Sequence, residues 1–448
     1  MKQNDVVTYT AQAYSDGETV GSVGEYTLFV PFMAQGETAE VKVNYVKGSV
    51  AYADVVRITR PSPHRVTPSC PLFGLCGGCA LMHLQYAEQL RFKTLKVQNA
   101  LRKIGGITAE VSPCVPSPLT VRYRNKLSLP VRGKRGRVKI GMYRRGSHTV
   151  VDSDDCLLGN GVFADVVNIF RSYLNDCGAQ PYDEKTFGGE VRHLVARYVD
   201  GQLLLTVVSN GKWRHDLSPL YERLRKKFPQ TGIFVNENNL RNNVIMDKKT
   251  LHVCGIEYIK GVHAGVPFRL GADSFFQVND GVKDILYQKV KQSLRVAGTQ
   301  VLIDCFSGIG VLTNALADQN YLTYGVEIVP QAVQDANSMA KFAKGKVVNV
   351  CGDANEVLPR LAKEHEGKKM CLVVDPPRKG LGEKVCETVT KTPFSDVEYV
   401  SCNPATLARD LKMLSQSYDV TAIQPYDMFP HTDHVESVVC LKRQSDVI

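Results

Sequence analysis

The sequence predicts an α/β protein in which a parallel, doubly wound, Rossmann-like sheet follows two mostly β segments. Three observations carry this expectation. From about residue 270 apolar runs such as "QVLIDCFSGIG", "LTYGVEIV", "VVNVCGDA", "MCLVVDPPRKG" and "VEYVSCNP" alternate with stretches of helical periodicity. Each of those runs ends in small, polar or acidic residues. Upstream, short alternating runs dominate, and the chain of 448 residues, 44% apolar and 22% charged, is long enough for about two to four domains.

Taken in order, residues 1–58 read as a small β unit. "YTLFVPFMAQGETAEVKVNYV" alternates around a Gly36 turn and "YADVVRI" closes it, which fits a five-stranded OB-like barrel. A plain capping sheet is the alternative. Residues 59–265 form the second expected domain. Arg60–Cys70 is a proline-rich linker, and residues 84–106 carry helical spacing with Gly105-Gly106 as the stop, a helix placed to pack on the last domain. Short strands follow to about residue 265, with an Asp200-Gly201 hairpin signal. Residues 266–448 hold the doubly wound sheet.

The net charge is +10, and its distribution points to a polyanion. Between Val111 and Val151 no acidic residue occurs, while Arg122, Arg124, Lys126, Arg132, Lys134, Arg135, Arg137, Lys139, Arg144 and Arg145 do. Tyr123 and Tyr143 are interleaved, and tyrosine rings stack on unpaired bases. A solvated basic strand pair is the plainer reading. The first thirty residues show no signal peptide and no apolar run approaches a membrane span, so a cytoplasmic protein with reduced thiols is expected.

Strand C-termini are where open α/β sheets bind ligands. The first run ends in Asp304, followed by Phe306-Ser307-Gly308-Ile309-Gly310, glycines that let backbone approach a ligand. Glu327 ends the second run, where a carboxylate can accept from both ribose hydroxyls, and Asp353 ends the third. Thr313 stands in place of the last glycine of GxGxxG and no Walker lysine follows. A nucleoside without pyrophosphate fits, and S-adenosylmethionine is the commonest such cofactor. In "DPPRKGL" two prolines present Asp375 rigidly.

Cys402 ends a further strand just before a helix beginning at Asn403-Pro404, where the helix dipole favours thiolate. A nucleophilic thiol beside a methyl donor suits uracil. Addition at C6 makes C5 nucleophilic, and a base must then remove the C5 proton. Glu436 in "HTDHVESV" is the candidate base; His431 and His434 are given no chemistry. Cys70, Cys76 and Cys79 fall within ten residues around Gly77-Gly78, with Cys156 later. That spacing leaves zinc and an iron–sulfur cluster open. The remaining cysteines, Cys351 among them, read as structural.

These motifs resemble, over nearly the whole chain, the bacterial RNA uracil-5 methyltransferases of the iron–sulfur-containing 23S ribosomal RNA type. "CPLFGLCGGC" and "DSDDC" are similar to that family's four-cysteine motif, implying a 4Fe–4S cluster on Cys70, Cys76, Cys79 and Cys156. "YRNK", "GMYRRGSH" and "VRHLVAR" resemble its central-domain signatures. "DSFFQVN" implies Gln277 at the methyl-donor site, "DPPRKGL" implies Asp375 there, and "SCNPATLARD" and "HVESV" imply Cys402 as nucleophile and Glu436 as base. The N-terminal segment resembles a TRAM domain and the last a class I methyltransferase domain. The resemblance thus implies methyl transfer from S-adenosylmethionine to a uridine of 23S rRNA by a monomer without an obligate protein partner. The rival readings are the same reaction on the tRNA T-loop and a non-catalytic RNA-binding redox sensor.

Overall fold

The computed structural model describes residues 1–263, 265–294 and 298–444; the last four residues of the third expected domain lie outside it. The chain forms two compact units. One comprises residues 1–118, 376–390 and 399 onward, the other residues 119–375 and 391–398.

In the first unit, β1 (Val6–Thr10), β2 (Ala13–Ser15), β3 (Glu18–Val23), β4 (Tyr26–Pro31), β5 (Thr38–Lys47) and β6 (Val50–Arg60) form a sheet of order β1-β5-β6-β4-β3-β2. There are thus six strands rather than the expected five, because the short β2 separates from β1. The end of β1 runs so close to β3 that a Cβ on Gly21 would lie 2.4 Å from the Thr10 carbonyl oxygen, and the sheet curls on itself. Alternate residues point inward: Tyr9, Leu28, Val30, Val41 and Val43 are fully buried, each apolar one contributing about 1.5–3 kcal/mol of transfer free energy. Glu37, also buried, takes a bidentate ion pair from Arg65 (2.6 and 2.7 Å), which anchors the following linker. Helix α1 (Tyr86–Ala100) runs on into a π turn at Leu101–Gly105, and Gly106 ends it in the left-handed region.

The second unit opens with β7 (Lys126–Lys134), β8 (Arg137–Ile140), α2 (Val162–Cys177), β9 (Val191–Val199), β10 (Gln202–Ser209), α3 (Ser218–Arg225), β11 (Gln230–Glu237) and β12 (Thr250–Gly255). The sheet order is β12-β11-β10-β9-β7-β8. Residues of β7–β11 pack with α2 and α3 in one apolar core. The hairpin signal holds: Asp200 and Gly201 both take positive φ, 48° and 78°, between β9 and β10. A β13 (Ile259–His263)–β14 (Val266–Leu270) hairpin and α4 (Asp280–Ser293) lead to the parallel part: β15 (Val301–Cys305), α5 (Val311–Leu316), β16 (Leu322–Glu327), α6 (Pro330–Ala340), β17 (Val347–Cys351), α7 (Ala354–Glu364) and β18 (Met370–Val374). Its strands run parallel in the order β17-β16-β15-β18. β15 and β18 are buried along their whole length, as parallel strands covered on both faces must be.

The remaining elements are α8 (Glu383–Lys391), β19 (Phe394–Ser401), α9 (Pro404–Leu414), β20 (Tyr418–Tyr426) and β21 (Glu436–Arg443). β20 and β21 pair antiparallel with Tyr426 opposite Glu436. Within the first unit the π turn packs on α9: a Cβ on Gly105 would approach the Ala408 carbonyl oxygen to 2.9 Å. Glycine therefore lets helix and turn meet at backbone distance. Among the described residues no helix is long and apolar enough to cross a membrane.

Candidate active site

The second unit carries a cavity of about 420 Å³, its open mouth included, at the C-terminal ends of β15 and β18. After β15 the chain turns sharply. Phe306, Gly308 and Gly310 all take positive φ (68°, 55° and 78°), and Phe306 and Ser307 donate their N–H groups to the Val326 carbonyl. For Phe306 this conformation is strained, and strain of this kind concentrates at ligand sites. Glu327 braces the turn: its two carboxylate oxygens accept the N–H groups of Gly308 and Val329, each at 2.9 Å.

Of the expected cofactor residues, Gln277, Phe306, Gly308 and Asp375 line this cavity. Glu327 meets it through the Gly308 N–H. Asp353 caps α7, accepting from the Asn355 N–H at 2.8 Å. Asp304 was passed over as a site residue, although its place at a strand end marked it. It lines the cavity, is buried, and accepts from the Thr313 hydroxyl at 2.6 Å. Burial, then the charges of Asp375 and Glu327, push its carboxyl up to about 7. Burial pushes Asp375 up to about 7 as well. Two such acids favour a ligand that brings positive charge, and a half-exposed glycine turn, an aromatic ring and a buried amide suit a nucleoside. S-adenosylmethionine, which carries a sulfonium and an ammonium, fits this donor set.

The first unit holds a larger cavity, about 1380 Å³ with its open mouth, lined by Cys402, Asn403, Arg378, Lys96, Lys103 and His434 among others. Cys402 sits half-buried between β19 and α9. Asn403 caps that helix by accepting from the Ala405 N–H (3.1 Å), and Pro404 supplies a first-turn residue without a donor. The Pro376–Gly382 loop is laced to the same helix. The Arg378 carbonyl accepts from Asn403 Nδ2 and Thr406 Oγ1, both at 3.1 Å. Fully buried Asp410 accepts from the Leu381 N–H (2.8 Å) and the Tyr399 hydroxyl (2.7 Å). Gly380, at φ 75°, is obligatory, because a Cβ would fall 2.4 Å from that carboxylate.

Helix α1 fixes the opposite wall. Lys93 is fully buried in an ion pair with Asp427 and donates to the Phe429 carbonyl at 2.9 Å. Lys96 bridges Asp433 (3.0 Å) and Asp16 (2.7 Å). The loop leading to Glu436 is thereby held from both ends. Glu436 itself is buried at the start of β21, and the cavity is lined instead by Asp433, His434 and Val435 just before it. His434 Nε2 lies 3.4 Å from Arg378 Nη2, and burial lowers its pKa, so the ring is neutral at pH 7. Arg378 stands in the "DPPRKGL" motif, whereas Lys96 and Lys103 carry no motif signal in the sequence, where they are dispersed.

The basic middle segment is less open than expected. Tyr123 is buried, and Tyr143 is half-buried with its hydroxyl on Glu184 at 2.9 Å, so neither ring stands out from the open surface. Arg122 and Arg132 are consumed by ion pairs with Asp155 and Glu184, acids that lie outside the acid-poor stretch. Lys134, Arg135, Arg137, Lys139, Arg144 and Arg145 stay exposed. Cys351 is exposed rather than packed. Cys70, Cys76 and Cys79 lie half-buried in the loop between β6 and α1, with the Gly78 N–H 3.4 Å from Cys76 Sγ, and Cys156 belongs to the second unit. Among the described residues no three His, Cys, Asp or Glu side chains are grouped to hold a metal ion. The geometry therefore does not itself support the expected cluster.

A parallel sheet with a strained glycine turn, and a basic cavity built around a thiol, define the class: an S-adenosylmethionine-dependent RNA methyltransferase. The comparisons agree. The profile of the tRNA (uracil-5-)-methyltransferase family matches residues 203–444. An uncharacterized RNA methyltransferase of Halalkalibacterium halodurans is 37% identical over 99% of this chain and 98% of its own, and one of Listeria innocua is 36% identical over 98% of each. Among solved structures, the Pyrococcus abyssi tRNA (uracil-54, C5)-methyltransferase in complex with S-adenosyl-L-homocysteine superposes with a TM-score of 0.75 at 26% identity, covering 96% of this chain and 98% of that one. The chain belongs to the tRNA (uracil-5-)-methyltransferase family.

Proposed function

We propose that this chain makes 5-methyluridine in 23S ribosomal RNA through a covalent Cys402–uracil intermediate. The observation that carries the reading is the Cys402 thiol, half-exposed at the positive end of α9 in a cavity that Lys103 and Arg378 also line. Phosphates of an RNA strand are drawn to Lys103 and Arg378, while Lys96 is held by Asp16 and Asp433. The thiolate adds to C6 of the target uracil, and the ring electrons shift towards C5 and O4. S-adenosylmethionine supplies an electrophilic methyl group, which C5 takes. Glu436 then removes the C5 proton, and the electron pair reforms the C5–C6 bond as the carbon–sulfur bond breaks, returning Cys402. Gln277, Phe306, Gly308, Glu327, Asp353 and Asp375 bind or brace the cofactor. Along the chain, Asp375 lines one cavity and Arg378 the other.

The choice of 23S rRNA rests on resemblance: the N-terminal segment, residues 1–58, as an RNA-binding TRAM barrel, a central domain over 59–265 and a catalytic domain over 266–448. It also rests on Cys70, Cys76, Cys79 and Cys156 as 4Fe–4S ligands, which the motif supports and the geometry does not. The second reading, the T-loop uridine of tRNA, is favoured by the substrate in the Pyrococcus protein's name. Mapping 5-methyluridine in rRNA and tRNA from a strain lacking the gene decides. Loss at one 23S position with tRNA unchanged is expected, and loss in tRNA alone overturns the ribosomal assignment.

A further inference from the structure

The second unit contains another cavity, remote in sequence from every residue given a role above. It measures about 820 Å³ with its open mouth, and lies where β7 and β9 meet the 238–249 loop. Its floor is His193, paired across the ladder with Pro130. His193 is 8% exposed, and its Nδ1 is buried with no hydrogen-bond partner. A buried polar atom left in this state is destabilising, and a bound partner relieves it. Burial, then the charges of Arg132 and Arg192, lowers this imidazole to about 3, so it faces the cavity as a neutral ring.

The walls are mixed in character. Met142, Val244 and Ile245 supply apolar surface, and Tyr143 and His148 stand as neighbouring rings 5.3 Å apart. Glu184 fixes both, taking the Tyr143 hydroxyl and the His148 ring, and Arg132 neutralises it. Asn243 brings its amide to the rim, and Asn242 brings its amide NH2, its side-chain oxygen accepting from the Val244 N–H at 2.9 Å. Their loop is no loose flap: fully buried Asn238 donates to the Val244 and Ile245 carbonyls (2.7 and 2.9 Å), and Arg192 donates to the Asn238 and Leu240 carbonyls (2.7 and 2.8 Å). Arg144 and Arg145 are exposed immediately after Tyr143.

From these we infer that the cavity is a nucleobase pocket, which takes one unpaired base of the RNA substrate other than the methylated uracil. A base presents a flat apolar face to Met142 and the rings, and mixed donors and acceptors to His193 Nδ1 and the two amides. The neighbouring arginines meet its phosphate. A small metabolite would match the pocket but not the cationic rim, and a phosphate alone would leave the buried imidazole unpaired. The inference rests on the RNA-modifying reading, and its test is independent of methyl transfer.

The test uses the full chain and fluorescein-labelled twelve-nucleotide single-stranded oligoribonucleotides, one of each homopolymer, with binding read by anisotropy across a salt series. Asn242→Ala with Asn243→Ala, both on the rim, should weaken the best-bound oligomer roughly tenfold, with the slope of log K against log salt unchanged, because base contacts release no counterions. His193→Ala should match that loss, and the rim double variant keeps the test valid if His193→Ala unfolds. Unchanged affinity in the rim variant overturns the pocket. So does a loss accompanied by a slope shallower by about one, which assigns the site to phosphate. The assay contains no methyl donor and reads binding alone, so failure of the methylation chemistry stays distinguishable from failure of this pocket.

Discussion

The side-chain amide of Asn403 donates to the Arg378 carbonyl at 3.1 Å while its oxygen caps the helix that follows Cys402. One residue thus fixes both the thiol's helix and the loop that carries a cavity cation. Asn403→Asp keeps the cap and loses the amide donor; Asn403→Ala loses both. We expect Asn403→Ala to cost about 1 kcal/mol of stability from the cap and Asn403→Asp much less. Both should slow adduct formation roughly tenfold, equivalent to about 1.4 kcal/mol at the transition state. Urea unfolding and single-turnover kinetics separate the two effects.

Cys402→Ala should abolish methyl transfer while RNA binding persists. Glu436→Gln should arrest the reaction after methyl transfer and accumulate a protein–RNA adduct that survives denaturing electrophoresis. A Glu436→Gln variant that turns over at the wild-type rate removes Glu436 from the mechanism.

The buried Lys93–Asp427 pair has no solvent to fall back on. Lys93→Met alone should destabilise by about 3–5 kcal/mol, because it strands a carboxylate, whereas Lys93→Met with Asp427→Leu should recover most of that loss. Denaturant midpoints of the two single variants and the double variant give the coupling directly.

Asp304 and Asp375 set opposed pH dependences. Both carboxyls are pushed up to about 7 in the folded protein, so between about pH 4 and pH 7 the folded state binds more protons than the unfolded chain. Stability contributed by the pair therefore falls as pH rises through that window. A cationic ligand prefers the ionised pair, so affinity for S-adenosylmethionine should rise from pH 5 to pH 8. Asp375→Asn should flatten both curves in thermal melts and calorimetric titrations.

Anaerobically purified protein should hold about four irons and four sulfides per chain if the four-cysteine reading is right. Stoichiometric zinc, or no metal with wild-type melting, removes the cluster from the reading.

Much of the sheet was legible because strand ends announce themselves. Asp304, Glu327 and Asp375 stand where buried apolar runs meet polar residues, and Cys402 stands between such a run and an Asn-Pro helix start. Polar partnerships across long sequence separations were not legible. Nothing in the sequence around Lys93 marks it as a core residue, because its partner lies over three hundred positions away. Tyr143 reads as an exposed ring in a basic stretch, yet Glu184 from another loop turns it inward. Periodicity reports which face is apolar; it does not report which charged residue finds its counterion inside.

The path of the backbone has a practical consequence. It passes between the two units at residues 118/119, 375/376, 390/391 and 398/399. A protease that cuts at any one of these points frees neither unit whole, and a truncated gene ending at residue 375 loses the thiol and its helix together. Each unit is assembled from separate stretches of the chain, so no single truncation removes one and leaves the other intact.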